Sequence, residues 1–349
     1  MEKKKQQDLL KGIMAGKNKH KLLFLYKRKN SFVAQDISIL EKDFDLKELA
    51  FFPFSSPLQI IQNFIKQFVF LLFSGWKYKR IYIWFADYHA FLPSLFSRIN
   101  GGKTYVVNGG YDVNISNEFN YGALKNPFRA KMVKYVLNSA SYCIPVTREL
   151  EPSIRSVSKN TNIITIPTGY DPDDWHFSTK KREYFATTVS ITSDKERFLV
   201  KGIDRFVQLA TLFPNERFLV VGTSLDFLAS LIELPINLEI LPPVTPKELN
   251  TIYQNSKFYA QFSRSEGLPN AICEAMLCGC IPVATDVGGI SNLVSGNGIL
   301  LNEWNEVKAA EEMRKLNITV LSREKCREFI SSNYSLEKRK NQLFALLKN

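Results

Sequence analysis

The sequence predicts an α/β protein of two Rossmann-like doubly wound domains with a cleft between them. Three observations carry this expectation. At 349 residues the chain is too long for one ordinary core. Short apolar runs of strand length, such as Leu22 to Tyr26, Ile81 to Phe85 and Ile281 to Thr285, alternate with helical stretches in both halves. The composition is globular, 45% hydrophobic, 13% aromatic and 23% charged, and it shows no internal repeat or low-complexity segment.

Taken in order, residues 1–20 are a polar, basic extension expected to fray. The run LLFLY at 22–26 is the first buried strand, followed by the loop KRKNSFVAQD and a helix through Ile37 to Leu40 and beyond. The greasiest stretch, Leu58 to Ser74, is interrupted by Gln59, Gln62, Asn63, Lys66 and Gln67, and its apolar tail is too short to span a bilayer. It reads as a helix buried against a sheet, with an interfacial helix as the alternative. IYIWF at 81–85 is the next central strand, ending in Asp87, Tyr88 and His89, where ligands bind in open α/β sheets. A strand over Thr104 to Val107 opens into NGGYD, a turn in which Gly109 and Gly110 allow close approach of the backbone to a ligand. Asp112 in that turn either orients a hydroxyl, acts as a base or caps the turn. Pro127 to Ala140 is an amphipathic helix whose Arg129, Lys131 and Lys134 line a solvated face or meet a phosphate. Strands over Tyr142–Val146 and Ile163–Ile166 lead to PTGYDPDDW.

The second half opens with strands over Ala186–Ile191, Arg217–Gly222 and Leu238–Leu241, with a helix to about Leu234 between the last two. Thr245 is placed to cap the next helix. The chain is then organised around Phe262 to Val294. Glu266 sits in a polar loop after FYAQF, and Pro269 suits a first helical turn because its missing N–H would be unpaired there anyway. The helix should end at Gly279, where a left-handed cap has no Cβ penalty. IPVAT is a buried strand, and Gly288-Gly289 a tight turn feeding another helix. Two helix starts with free N–H groups suit a phosphate, and the two carboxylates bracketing the first, Glu266 and Glu274, suit paired hydroxyls. A nucleotide sugar carries both. Residues 303–349 are expected to be helical.

Charge and rare residues exclude several classes. Net charge is +12, about all of it in residues 1–150, so one domain is expected to face an anionic surface or substrate. No zinc-finger, RNP or basic-zipper pattern supports nucleic acid as partner. Five Cys without framework spacing point to a reducing cytosol, and Cys278 and Cys280 read as small buried residues rather than metal ligands. Three His leave little material for zinc or His-based chemistry, and no metal or cofactor is expected. The start MEKKKQQDLLKGIMAG lacks the apolar core of a signal peptide.

The segment S-x-x-EGLP-x-x-x-x-EAM-x-x-G-x-PV-x-T-x-x-GG resembles the donor site of retaining glycosyltransferases of the GT-B fold, family 4 or group 1 type, whose signature is two glutamates with seven residues between them. The resemblance spans about residues 20–340 and is densest over 160–300. It implies an acceptor domain at 21–170, a linker at 171–186, a nucleotide-sugar domain at 187–325 and a final helix, 326–349, crossing back to the first domain. It implies that Glu274 holds ribose hydroxyls and Glu266 donor-sugar hydroxyls. Gly267, Leu268, Pro269, Asn270 and the amides of Gly288, Gly289 and Ile290 would lie against phosphates or sugar, with Gly109 and Gly110 close by. Lys201, in the family's KG dipeptide, would neutralise the departing diphosphate. Its partner cation stands at Arg197 or Lys195. Gly222, Thr223 and Val244 would border the base, and the donor is expected to be a UDP-sugar first, a GDP-sugar second. On the acceptor side the resemblance places Ser31, Phe32, His89 and Tyr111, facing a saccharide or a polyprenyl-linked sugar.

Two departures stand out. Asn30-Ser31-Phe32 replaces a glycine-rich first loop, and Asn108-Gly109-Gly110-Tyr111-Asp112 lacks the family's usual His before the glycine while keeping the Asp. With no residue placed as a covalent nucleophile, front-face transfer with retention is expected, at the cytoplasmic membrane face and in cell-surface polysaccharide synthesis. The rival readings are a GT-B isomerase or hydrolase of nucleotide sugars and a non-catalytic membrane or assembly module of the same fold.

Overall fold

The computed structural model describes residues 19–52, 56–116 and 118–348. The basic extension read over 1–20 lies outside the described residues except for its last two. By contacts the chain divides into two compact units, residues 1–107 with 132–143, and residues 108–131 with 144–349.

The first sheet is built from β1 (His20–Tyr26), β2 (Phe44–Ala50), β3 (Arg80–Trp84), β4 (Lys103–Asn108) and β5 (Tyr142–Pro145) in the order β2-β1-β3-β4-β5. Its helices are α1 (Ser31–Leu40), α2 (Pro57–Ser74), α3 (Tyr88–Asn100) and α4 (Pro127–Ser139). Leu22 to Leu25 and Ile81 to Ile83 are wholly buried, as continuous apolar runs in a parallel sheet covered on both faces must be. Asp36 on α1 lies in this core and accepts hydrogen bonds from Tyr82 Oη at 2.7 Å and Trp84 Nε1 at 2.8 Å, which fixes α1 over β3. At the switch point between β1 and β3, Lys27 pairs with Asp87 at 2.8 Å, and Asp87 caps α3.

Three differences from the sequence reading have physical causes. The strand β2 is absent from that reading because FDLKELA is charged and only half-buried, and it pairs with β1 alone at the sheet edge. Ile163–Ile166 forms no strand. Ile166 donates one bond to Pro145 O, and Pro167 has no N–H with which to continue a ladder. The helix over Leu58–Ser74 is present, but only one side packs inward, through Leu71, Gln67 and Phe64.

The second sheet comprises β6 (Tyr184–Val189), β7 (Phe218–Val221), β8 (Leu238–Leu241), β9 (Ser256–Gln261), β10 (Ile281–Thr285) and β11 (Ile299–Leu301). Its order is β8-β7-β6-β9-β10-β11 and every pair is parallel. The strand order therefore reverses between β6 and β9, where such sheets open a crevice at the carboxyl ends. Helices α5 (Glu151–Val157), α6 (Lys195–Val200), α7 (Ile203–Thr211), α8 (Leu225–Ala229), α9 (Pro246–Gln254), α10 (Asn270–Leu277) and α11 (Ile290–Val294) follow in sequence. They are succeeded by α12 (Glu306–Lys315), α13 (Val320–Asn333) and α14 (Leu336–Lys348). Thr245 caps α9 in a reciprocal box with Glu248, and Gly279 ends α10 in the left-handed region at φ 78°. Helix α8 stops at Ala229, five residues short of the expectation. Arg339 of α14 donates to the carbonyls of Ile166 and Pro167 at 2.9 and 2.7 Å, and Leu336 N bonds to Tyr170 O.

Candidate active site

β9 ends in Gln261 beside the switch point, and the chain then turns through Phe262 to Pro269 before α10 begins. This turn carries Glu266. Its Oε1 accepts from Gln261 Nε2 at 2.6 Å, Ser263 Oγ at 2.9 Å and Lys201 Nζ at 2.6 Å, so one carboxylate oxygen gathers three donors. The Glu266 side chain is only 8% exposed, and these three donors stand where water would otherwise bind it. Lys201 is aimed there by the break between α6 and α7, where Gly202 at φ 68° lets the chain turn sharply. Arg197, one turn earlier on α6, is exposed, and its charge acts on Tyr121. Lys195 is exposed at the first position of α6.

The wall beside Glu266 is main chain packed on main chain. A Cβ at Gly267 would stand 2.3 Å from Gly109 O, and one at Gly288, itself at φ 57°, would stand 2.3 Å from Glu266 O. Only glycine permits either approach. Asn114 Nδ2 also reaches Glu266 O, at 3.3 Å. Of the three amides expected to face a ligand, Gly289 N donates to Gly267 O and Ile290 N to Val287 O. Gly288 N meets no acceptor among the described residues.

Asp112 is completely buried and holds its own turn, accepting from Asn108 Nδ2 at 2.7 Å and from the amides of Gly109 and Gly110 at 3.2 Å. Of the roles open in the sequence, the geometry matches turn capping. Tyr111 is half-buried, with its ring edge-on to Tyr121 and its hydroxyl accepting from Arg129 at 3.0 Å. Burial, with Glu266 nearby, raises the Tyr121 hydroxyl far above its usual range.

Glu274 lies on α10 one helical turn past Asn270. It is 9% exposed, and no donor among the described residues reaches its carboxylate. Burial alone pushes its pKa up to about 7. Leu268 and Pro269 are buried under the start of α10, and Pro269 occupies the capping position rather than the first helical one. Asn270 Oδ1 accepts from Tyr170 Oη at 2.5 Å, and Tyr170 in turn meets Thr168 Oγ1 at 2.8 Å. Thr168, through Tyr170, is thus joined to a predicted donor residue. On the other side of the switch point, Gly222 N donates to Leu241 O at 2.9 Å, Thr223 is buried with its Oγ1 unsatisfied, and Val244 packs against the cluster of Tyr184, Leu219 and Val221.

The other three acceptor residues belong to the first unit. Ser31 is exposed at the first turn of α1, and Phe32 packs on Trp84 with its ring tilted by 46° and the centroids 4.6 Å apart. His89 is wholly buried, its Nε2 2.8 Å from Trp84 O, so it is a core histidine and no ligand contact follows from it. Sequence reasoning gave no role to Gln261, Ser263 or Tyr121. Ser263 opens the segment S-x-x-EGLP and could have been found there, whereas Gln261 and Tyr121 belong to no motif and only the fold brings them to Glu266. Cys278 and Cys280 are buried thiols, that of Cys280 pushed up to about 11 by burial, and no metal-holding cluster exists among the described residues.

Comparison with known proteins finds a domain match over part of the second unit. Residues 189–317 match the family model described as Glycosyl transferases group 1. A human phosphatidylinositol N-acetylglucosaminyltransferase subunit is 24% identical over 182 residues, which is 50% of this chain and 37% of that protein. The D-inositol 3-phosphate glycosyltransferase of Gordonia bronchialis is 38% identical over 88 residues, 23% of this chain and 19% of its own length. These matches thus span about a third and a fifth of the two curated relatives. Among solved structures, the sucrose-phosphate synthase of Thermosynechococcus elongatus superposes with a TM-score of 0.76 at 15% identity, covering 95% of this chain and 98% of its own. Anabaena HepE in complex with UDP and glucose superposes with a TM-score of 0.73 at 16% identity, covering 94% and 99%.

Proposed function

We propose that this chain, which has the GT-B fold and carries a group 1 glycosyltransferase domain at residues 189–317, is a retaining glycosyltransferase that moves a sugar from a nucleotide donor to a glycan or lipid-linked saccharide. One observation carries the reading. Glu266, held by Lys201, Gln261 and Ser263, and the buried, protein-unpaired Glu274 bracket α10 beside a wall of bare backbone. A buried carboxylate without a protein donor suits the paired hydroxyls of a ribose, whose hydrogen bonds would offset its desolvation.

In this reading Glu274 takes the ribose, Glu266 the donor-sugar hydroxyls, and Lys201 with Arg197 the diphosphate. The Gly288 amide and the first turn of α10 add partial positive charge for the phosphates. The bond from the anomeric carbon to the phosphate oxygen breaks, its electron pair remaining on the leaving diphosphate. The acceptor oxygen bonds to that carbon from the same face, and its proton passes to the departing phosphate oxygen. Lys201 stabilises the charge that develops, a task that needs no metal. Asp112 keeps the Gly109–Gly110 turn in shape. Tyr111 and Arg129 lie on the acceptor side. UDP is the first nucleotide to test, because the solved relative HepE holds UDP and glucose, and GDP the second.

The basic first 150 residues support a polyprenyl-diphosphate-linked acceptor, and in this reading the enzyme works in the cytoplasm at the inner face of the plasma membrane, in cell-surface polysaccharide synthesis. No helix among the described residues is long and apolar enough to cross a membrane. The test is differential scanning fluorimetry against UDP-, GDP- and ADP-sugars, with wild type and Glu274→Ala. A melting shift with one nucleotide class that disappears in the variant supports the reading. Equal shifts in both proteins would remove Glu274 from the donor site.

A further inference from the structure

Helix α2 is apolar on both sides. Its inner side is anchored by the burial of Leu71, by Gln67 donating to His89 O at 2.8 Å, and by Phe64 against Phe51 at 5.3 Å. Its outer side carries Leu58, Ile61, Ile65, Phe68, Val69, Leu72 and Phe73, each between 46% and 76% exposed. At 100° per residue most of these fall in one stripe opposite the buried face. Trp76 continues the stripe, and its ring packs edge-on against Phe96 of α3 at 4.8 Å, one turn from the exposed Ile99. Helices of soluble proteins do not leave such a continuous band to water without a partner.

The charges around the band select that partner. From residue 57 to 103 the basic side chains are Lys66, Lys77, Lys79, Arg80, Arg98 and Lys103, and the one acidic residue, Asp87, is buried against Lys27. Exposed Lys66, Lys77 and Arg98 border the band. A second copy of the same face would set these like charges against each other across a two-fold contact. An anionic bilayer meets both features at once. We propose that the outer face of α2, with Trp76 and Ile99, lies in the headgroup layer of an anionic membrane, its apolar side chains entering the acyl boundary and its lysines and arginine meeting lipid phosphates. A tryptophan at the rim of an apolar face is the side chain expected at that depth. This inference deepens the membrane part of the function proposed above and names the residues that make the contact.

Vesicle flotation with the full chain tests it. The wild type should float with phosphatidylcholine–phosphatidylglycerol vesicles and remain unbound with phosphatidylcholine alone. The variant Ile65→Glu/Phe68→Glu/Leu72→Glu should stay unbound with a wild-type thermal melt, since none of the three is buried. Lys66→Glu/Lys77→Glu should bind at least about tenfold more weakly. The proposal is overturned if the wild type fails to float with either vesicle, or if the glutamate variant floats as the wild type does. It is overturned equally if light scattering finds a dimer that the glutamate variant splits, because a second copy would then cover the face. Donor binding by fluorimetry is read separately on the same proteins, so loss of flotation with donor binding intact rejects only this inference.

Discussion

The Lys201 ammonium lies 2.6 Å from Glu266 Oε1, an ion pair whose members are 26% and 8% exposed. The pair joins the residue proposed to meet the diphosphate to the residue proposed to meet the sugar. Lys201 is therefore already oriented before any phosphate arrives, and a donor would find the cation in place rather than gather it from solvent. Lys201→Met keeps the length of the stem and removes the charge. Transfer, followed by release of the nucleoside diphosphate, should fall by about two to three orders of magnitude. A variant retaining a tenth or more of wild-type turnover would take Lys201 out of the chemistry.

Glu274 makes stability depend on pH in a definite direction. Its folded pKa of about 7 stands above the ordinary 4.5, so below 4.5 it is neutral in both states and contributes no penalty. Between 4.5 and 7 the unfolded chain gives up this proton and the folded chain keeps it, which favours unfolding as pH rises. Glu274→Gln is neutral throughout. Relative to wild type it should gain about 3 kcal/mol of stability between those two pH values in urea titrations. Parallel pH profiles for the two proteins would show that Glu274 ionises freely in the folded state.

Tyr170 ties two segments together through one hydroxyl, shared between Thr168 and Asn270. Tyr170→Phe leaves the buried Thr168 and the Asn270 amide oxygen without that partner and should cost about 1–3 kcal/mol. Because Asn270 opens α10, nucleotide affinity should weaken together with the melting temperature. A drop in melting temperature with unchanged affinity would separate this contact from the donor site.

Gly267 faces Gly109 O so closely that a methyl group needs main chain to move. Gly267→Ala should destabilise the protein by about 1–3 kcal/mol, the range seen for overpacking, and reduce turnover further by displacing Glu266. Circular dichroism melts and initial rates on the same preparation check both effects.

Much of this is legible in the amino-acid sequence alone. The strands Leu22–Tyr26 and Ile281–Thr285, the cap at Gly279 and the box begun by Thr245 follow local rules that a buried strand or a helix end enforces by itself. What stays hidden depends on distant partners. β2 looks like a charged loop until β1 lies beside it. Gln261 is an ordinary polar residue until the turn after β9 folds back on it. Asp112 can be read as base or cap, and only the three donors of its own turn show the cap. The amides of Gly289 and Ile290 sit where a phosphate reading wants them, yet both are bonded within the protein. The outward side of α2 escapes a sequence reading because an apolar helix is usually covered, and periodicity does not reveal by what.

The bare backbone at Gly267 and Gly288, packed on the carbonyls of Gly109 and Glu266, has a consequence for changing this protein in the laboratory. Side-chain variety cannot be introduced where carbonyl oxygens already occupy the space of a Cβ. A saturation library at those two positions would return mostly unfolded chains, whatever ligand was sought. Positions such as Tyr111 and Asn114, whose side chains border the same wall without forming it, are where selection for altered ligand preference has room to operate.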